Sequence, residues 1–202
     1  MPILTYPPLA RSFFLDTPDV VARRLLGKLI VRPEAGELLA GRIVETEAYF
    51  GSDDAAAHAF AGRTARTQVL FGPPGHAYVY FVYGMHHCLN VSCEPEGQAG
   101  CVLIRALEPV AGLAAMARLR GLPEHAPPER LASGPGRLCQ ALGITRLAHN
   151  GVDVTDPASL LLFAEDGYQP AGIAVSPRVG IRKAADRLAR FYLEGNRCVS
   201  RR

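Results

Sequence analysis

Lysine is almost missing from this chain of 202 residues. Only Lys28 and Lys183 are present, and every other basic residue is arginine. The bias either reflects a base composition that favours arginine codons or serves bidentate contact with phosphate. A formal net charge of +3 permits nucleic-acid binding without arguing for it. Long apolar runs are also missing: none reaches the roughly 18 residues that a membrane helix needs. The opening "MPILTYPPLARSFF" lacks the basic start and long apolar middle of a secretory signal. A soluble cytoplasmic protein, with no membrane partner, is expected.

Cysteine is present but unpatterned. The five residues Cys88, Cys93, Cys101, Cys139 and Cys198 are odd in number and include no C-x-x-C pair. Neither a disulfide framework nor a zinc ribbon is indicated. "HHC" at His86–Cys88 has no second ligand pair at a usual spacing, so small core residues are the better reading. No phosphate loop, nucleophile elbow, H-E-x-x-H zinc motif or zinc-deaminase pattern occurs. There is no internal repeat, linker or low-complexity tract, which predicts one domain over residues 1–202.

What is present is a mixed pattern over a hydrophobic content of 49%, enough for a real core. "DTPDVVARRLLGK" reads as a helix with Thr17 as N-cap, Pro18 in its first turn and Gly27 at its stop. "LIVRP" and "LLAGRIVETEAY" read as strands. Alternation in the second puts Ile43, Glu45, Glu47 and Tyr49 on one face. Residues 50–76 are a long loop with a helical turn expected near Asp54–Phe60. A hairpin follows, with strands at 77–82 and 87–93. "GCVLIRALEP" is another strand, and a helix is expected from Pro109 to Gly121. "LPEHAPPERLASGPG" reads as a loop and "GPGRLCQALG" as a short helix ended by Gly143. "AGIAVSPRVGI" and "ARFYLEGNRCVS" read as extended. Strands and helices without regular β-α-β alternation predict an α+β fold.

Three features carry chemistry. Glu47 shares a strand face with apolar residues, where an unpaired carboxylate is costly; it is either salt-bridged to an arginine or used as a base. Tyr78 and Tyr80 share a face and serve either core packing or stacking, while Tyr83 precedes Gly84 at a turn tip, where a ring can project. "SGPGR", Ser133–Arg137, is either a plain cap or a cradle for an anion.

The stretches "GRIVETEAYFGSDDAAAHAF", "AYVYFVYGMHHCLNVS", "CVLIRALEP", "SGPGRLCQALGI", "PRVGI" and "RFYLEGN" together resemble the alkyladenine (3-methyladenine) DNA glycosylase family. Order and spacing agree from about Phe13 to about Ser200. The resemblance implies a single compact α+β domain with a curved antiparallel sheet and flanking helices. It implies release of alkylated or deaminated purines from double-stranded DNA by a monomer, with the nucleotide flipped out and no metal or organic cofactor. It makes the cytoplasmic protein a bacterial-type one held to the nucleoid through DNA. Carried over by motif, Glu47 is the base that activates water, with Arg105 and the Val179 carbonyl helping to hold that water. Tyr49, His58 and Tyr80 sandwich the flipped base, and Asn90 crowds the amino group of guanine. Tyr83 fills the gap in the duplex with Met85 beside it, and Gly136 and Arg137 meet backbone phosphate. Aromatic faces favour a cationic alkylpurine over a neutral base. Neither Lys28 nor Lys183 lies in a site motif, so hydrolysis without strand cleavage is expected. A nucleic-acid-binding module that has lost catalysis, and a transferase with a related sheet, are the competing classes.

Overall fold

A computed structural model describes residues 6–82 and 84–200 of the chain. Pro18 opens the first helix, α1 (Pro18–Leu25), where its missing N–H costs nothing. Thr17 stands at the N-cap, yet its hydroxyl donates to the Asp19 carboxylate (2.8 Å) and not to the helix backbone. Val21, Ala22 and Leu25 form the buried stripe. The chain then enters β1 (Leu29–Glu34) and β2 (Glu37–Phe50), a fourteen-residue strand at the centre of the molecule.

The expected hairpin is β3 (Ala77–Val82) and β4 (His86–Cys93). Strand β5 (Gly100–Ala111) runs further than expected. Pro109 does not start a helix; it pairs with Gly41 inside the strand. Strand β4 covers β5 only from Gly100 to Leu103, so no strand beyond that point needs the N–H that proline lacks. Helix α2 (Leu113–Leu119) begins after Gly112, whose φ is +73°. A Cβ there would lie 2.5 Å from Leu39 Cδ2, so the strand-to-helix turn requires glycine.

The remaining elements are α3 (Pro128–Leu131), α4 (Pro135–Ala141), α5 (Arg146–His149), β6 (Leu162–Ala164), β7 (Ile173–Ser176) and β8 (Arg190–Leu193). Helix α3 lies in the segment read as a loop, and α5 and β6 fall where no element was expected. All three are three or four residues long and lack a readable period. The 50–76 loop holds three 3-10 turns, at Gly51–Asp53, His58–Ala61 and Gln68–Phe71; the turn expected near Asp54–Phe60 is displaced to the second of these.

The sheet has eight strands, all pairs antiparallel, and does not close. Its order is β3-β4-β5-β2-β1-β6, and β8 joins β2 with β7 outside it. Strand β2 therefore changes neighbours along its length: β1 pairs with residues 37–42 and β8 with residues 45–47. The fold is α+β, as expected. The main core fills one side of the sheet, where α1 packs on β2 and α4 on β4.

One register change positions everything that follows. The pairing of β2 with β5 shifts on both sides of Glu45. Val44 is the extra residue on one strand and Arg105 on the other. Ile43, Val44 and Ala48 all lie in the core. Strict alternation, which put Ile43 beside Glu45, Glu47 and Tyr49, thus fails at the bulge. The bulge turns the two glutamates and Arg105 to the face away from the main core.

Candidate active site

Glu45 and Glu47 are both fully buried, yet their surroundings differ. Glu45 accepts from Arg105 Nε (2.8 Å), Arg190 Nε (2.7 Å) and the Ser200 amide (2.7 Å). Burial alone would raise its pKa; the Arg105 charge, the Ser200 amide and Arg190 outweigh it and hold the carboxyl below its ordinary value. Of these partners, Arg105 also reaches Glu47. Glu47 accepts from the Val179 amide (2.7 Å) and pairs with Arg105 Nη1 (3.1 Å) through one oxygen, and accepts from the Tyr49 hydroxyl (2.8 Å) through the other. Three donors on two oxygens suit a carboxylate, which only accepts. Val179 meets Glu47 through its N–H; the expected part was for its carbonyl.

Tyr49 links Glu47 to a pocket. Its lining is Tyr49, Ala56, His58, Tyr78, Tyr80, Asn90, Cys101 and Ile181. The four residues expected around a base, Tyr49, His58, Tyr80 and Asn90, thus come together from β2, the long loop and the hairpin. The His58 and Tyr80 rings meet edge to face, with centroids 4.5 Å apart. His58 Nδ1 lies 3.0 Å from the Tyr78 hydroxyl. Asn90 is held by its Nδ2, which donates to the Tyr78 carbonyl (3.1 Å). Desolvation raises the pKa of both Tyr49 and Tyr80, so both hydroxyls stay protonated. Partial burial, and then the neighbouring Arg66 charge, hold His58 below the ordinary histidine range. Tyr78 proves to be both core and pocket wall.

Sequence reasoning missed the brace behind this pocket. Arg178 and Asp54, neither of them solvent-exposed in the side chain, form an ion pair. Arg178 Nη2 donates to Asp54 Oδ1 (2.8 Å), and Nη1 donates to the other carboxylate oxygen and to the Ala48 carbonyl (3.0 Å). Its guanidinium carbon sits 4.6 Å from the Tyr49 ring centroid. Asp54 also accepts from the amides of Phe50 (3.3 Å) and Ala56 (3.1 Å). Burial opposes ionisation of Asp54, but Arg178 and these amides lower its pKa on balance. One pair thereby ties the end of β2, the loop bearing His58 and the loop bearing Val179 to each other. The only hint in the sequence was an arginine beside Val179 in "PRVGI".

A second polar region flanks the hairpin. His86, Arg120, Ser133, Gly134, Pro135, Gly136, Arg137 and Gln140 line an open cleft. Gly136 lies flat against the His86 ring: a Cβ there would be 3.0 Å from His86 Cγ. Arg137 is exposed and donates to the Ser133 carbonyl at 3.4 Å. Met85 is two-thirds exposed (66%) at the hairpin turn. Tyr83, expected to fill the gap in a duplex, lies outside the described residues. All five cysteines are buried thiols, in line with small core residues. Among the described residues, no group of three or more His, Cys, Asp or Glu is placed to hold a metal ion, and no helix is long and apolar enough to cross a membrane.

Comparison with known proteins places nearly the whole chain among relatives of one family. The sequence model of the family described as methylpurine-DNA glycosylase (MPG) matches residues 12–197. Three similar relatives all bear the name "Putative 3-methyladenine DNA glycosylase". One, from Koribacter versatilis (strain Ellin345), is 54% identical over 193 residues, 96% of this chain and 93% of the relative. Another, from Methanocella arvoryzae (strain DSM 22066 / NBRC 105507 / MRE50), is 49% identical over 200 residues, 97% of each. A third, from Rhodopseudomonas palustris (strain ATCC BAA-98 / CGA009), is 50% identical over 195 residues, 96% of this chain and 89% of the relative. With a family match over nearly its whole length and relatives at half identity, the chain belongs to the methylpurine-DNA glycosylase family.

Proposed function

We propose that this DNA glycosylase releases alkylated and deaminated purines, of the 3-methyladenine, hypoxanthine and ethenoadenine class, from double-stranded DNA. The observation that carries the reading is the wiring of Glu47: a buried carboxylate joined through the Tyr49 hydroxyl to a pocket walled by aromatic rings. Duplex DNA hides the glycosidic bond, so the nucleotide is flipped into that pocket at a cost of a few kcal/mol. Tyr49, His58 and Tyr80 stack on the base, Asn90 stands against the amino group of guanine, and Tyr83 with Met85 fills the space left behind. Gly136 and Arg137 hold backbone phosphate.

As the C1′–N9 bond breaks, its electron pair leaves with the base and the sugar gains oxocarbenium character. The Glu47 carboxylate stabilises that charge and takes the proton of the attacking water, whose oxygen bonds to C1′. Arg105 and Val179 orient Glu47 and, with it, the water. The product is an abasic site, without strand cleavage. The chain acts as a single-domain monomer, on DNA of the cytoplasmic nucleoid.

The test is incubation with matched duplexes that carry 3-methyladenine or hypoxanthine. Free base with an intact, alkali-labile strand supports the reading. Binding without release makes the protein a recognition module, and strand cleavage without alkali removes the monofunctional mechanism.

A further inference from the structure

Two of the tyrosine rings that wall the pocket lie near an arginine. Arg178 already lies over Tyr49, at 4.6 Å from the centroid, and Arg66 over Tyr80, at 5.5 Å. The two arginines differ in charge balance. Arg178 is buried and answered by Asp54. Arg66 is exposed, and among the described residues no carboxylate pairs with it. Its Nη2 lies 3.4 Å from His58 Nε2. A guanidinium can only donate, so Nε2 accepts and the ring proton sits on Nδ1. Nδ1 then donates to the Tyr78 hydroxyl, 3.0 Å away. His58 is therefore held as a neutral imidazole with a cation at its outer nitrogen. The lining residues are three tyrosines, this histidine, an asparagine, a cysteine, an alanine and an isoleucine, none of them an ion pair member. Of the two arginines over the tyrosine rings, Arg66 is the one whose charge no carboxylate among the described residues answers.

We propose that Arg66 is a specificity-determining residue of this site, weighting it towards neutral damaged purines and against cationic alkylated ones. The proposal rests on the glycosylase reading and adds a substrate preference to it. A cationic purine on the clamp meets the guanidinium as a like charge. A neutral purine meets no such penalty. Cationic purines can still be released, because such a base leaves as a neutral molecule and its glycosidic bond breaks more readily unaided.

The experiment measures single-turnover base release by the full chain from three duplexes that differ only in the lesion. Hypoxanthine and ethenoadenine are neutral; 7-methylguanine is a cation. Arg66→Gln removes the charge at an exposed position, and Arg66→Lys keeps it. The expected result is a rise of about 5-fold in the 7-methylguanine to hypoxanthine rate ratio for Arg66→Gln, with ethenoadenine following hypoxanthine and Arg66→Lys near the parent ratio. An unchanged ratio overturns the proposal. So does an equal fall in all three rates with a shallower salt dependence, which makes Arg66 a phosphate contact. A shift in Arg66→Lys as large as in Arg66→Gln also overturns it, since shape and not charge is then at work. Failure of the parent protein to release any of the three bases overturns the glycosylase reading itself, and this proposal with it.

Discussion

The arginines behind the pocket and those around the start of α4 meet opposite treatment by the same fold. Arg105, Arg178 and Arg190 are each about 5% exposed, and each is answered by a carboxylate: Arg105 by Glu45 and Glu47, Arg178 by Asp54, Arg190 by Glu45. Arg120, Arg130 and Arg137 stand at the other end of the hairpin. Among the described residues, none of these three has a carboxylate partner. Desolvation, and then the charges of Arg137 and Arg130, lower the pKa of Arg120. The difference separates the arginines that brace the pocket from those that no carboxylate among the described residues answers. A guanidinium taken out of water needs a carboxylate, or its desolvation goes uncompensated. Arg130 and Arg137 stay at the surface and Arg120 is partly buried, so their mutual repulsion is tolerated there, and a polyanion would relieve it.

The comparison breaks first, and with the largest effect, at Arg178. Arg178→Ala leaves Asp54 buried without its partner and should lower the unfolding free energy by about 3–5 kcal/mol. Arg130→Ala should change it by no more than roughly 0.5 kcal/mol. Urea unfolding of the two variants side by side measures both, and similar values would mean that burial does not separate the two groups.

Glu47→Gln comes next. It keeps the shape and one acceptor oxygen, and its NH2 can donate to the Tyr49 hydroxyl where the carboxylate accepted, but it cannot take the proton from water. Single-turnover release of hypoxanthine should fall by roughly 100-fold or more while lesion DNA is still bound. Near-parental release would take Glu47 out of the mechanism and reduce its three contacts to a structural knot.

Acid sharpens the same contrast. Glu45 and Asp54 both have folded-state pKa values below their ordinary ones. Their contribution is therefore fully present above the unfolded-chain values, about 4. It is lost as pH falls through the lower, folded values. His58, held below its ordinary value, begins to cost stability as pH falls below the unfolded-chain histidine value of about 6.5. The further decline below about 4 belongs to these carboxylates, and Arg178→Ala should flatten the part of it owed to Asp54. A decline below about pH 4 of the same size in Arg178→Ala and the parent would take Asp54 out of it.

The smallest effect belongs to the surface cluster. Arg137→Ala should weaken DNA binding equally on damaged and undamaged duplexes. It should also flatten the plot of log affinity against log salt by about 0.9, one phosphate contact. A loss confined to lesion DNA would move Arg137 from the backbone to the base.

Much of this was readable along the chain. Alternation and turn residues marked β1, β2, the hairpin and α4, because side-chain period and glycine or proline placement are local properties. The stretch "ETEAY" and the tyrosines of "AYVYFVY" identified the carboxylate and two walls of the pocket. The start of α2 was misread because a proline usually opens a helix, whereas here it lies on a length of β5 with no strand beyond it.

By itself, then, the sequence determined the chemical parts: two glutamates at strand spacing, the tyrosines of the hairpin and a candidate anion cradle at "SGPGR". Which glutamate is the structural one was decided by tertiary structure. Glu45 is fixed by residues 60, 145 and 155 positions away, and Glu47 by an amide 132 positions away. The bulge that turns both off the core face depends on a matching residue in β5. The Arg178–Asp54 brace spans 124 positions. No local period encodes such contacts. They form only when packing has already removed water from both partners, and the ion pair then becomes the one way to keep either charge inside.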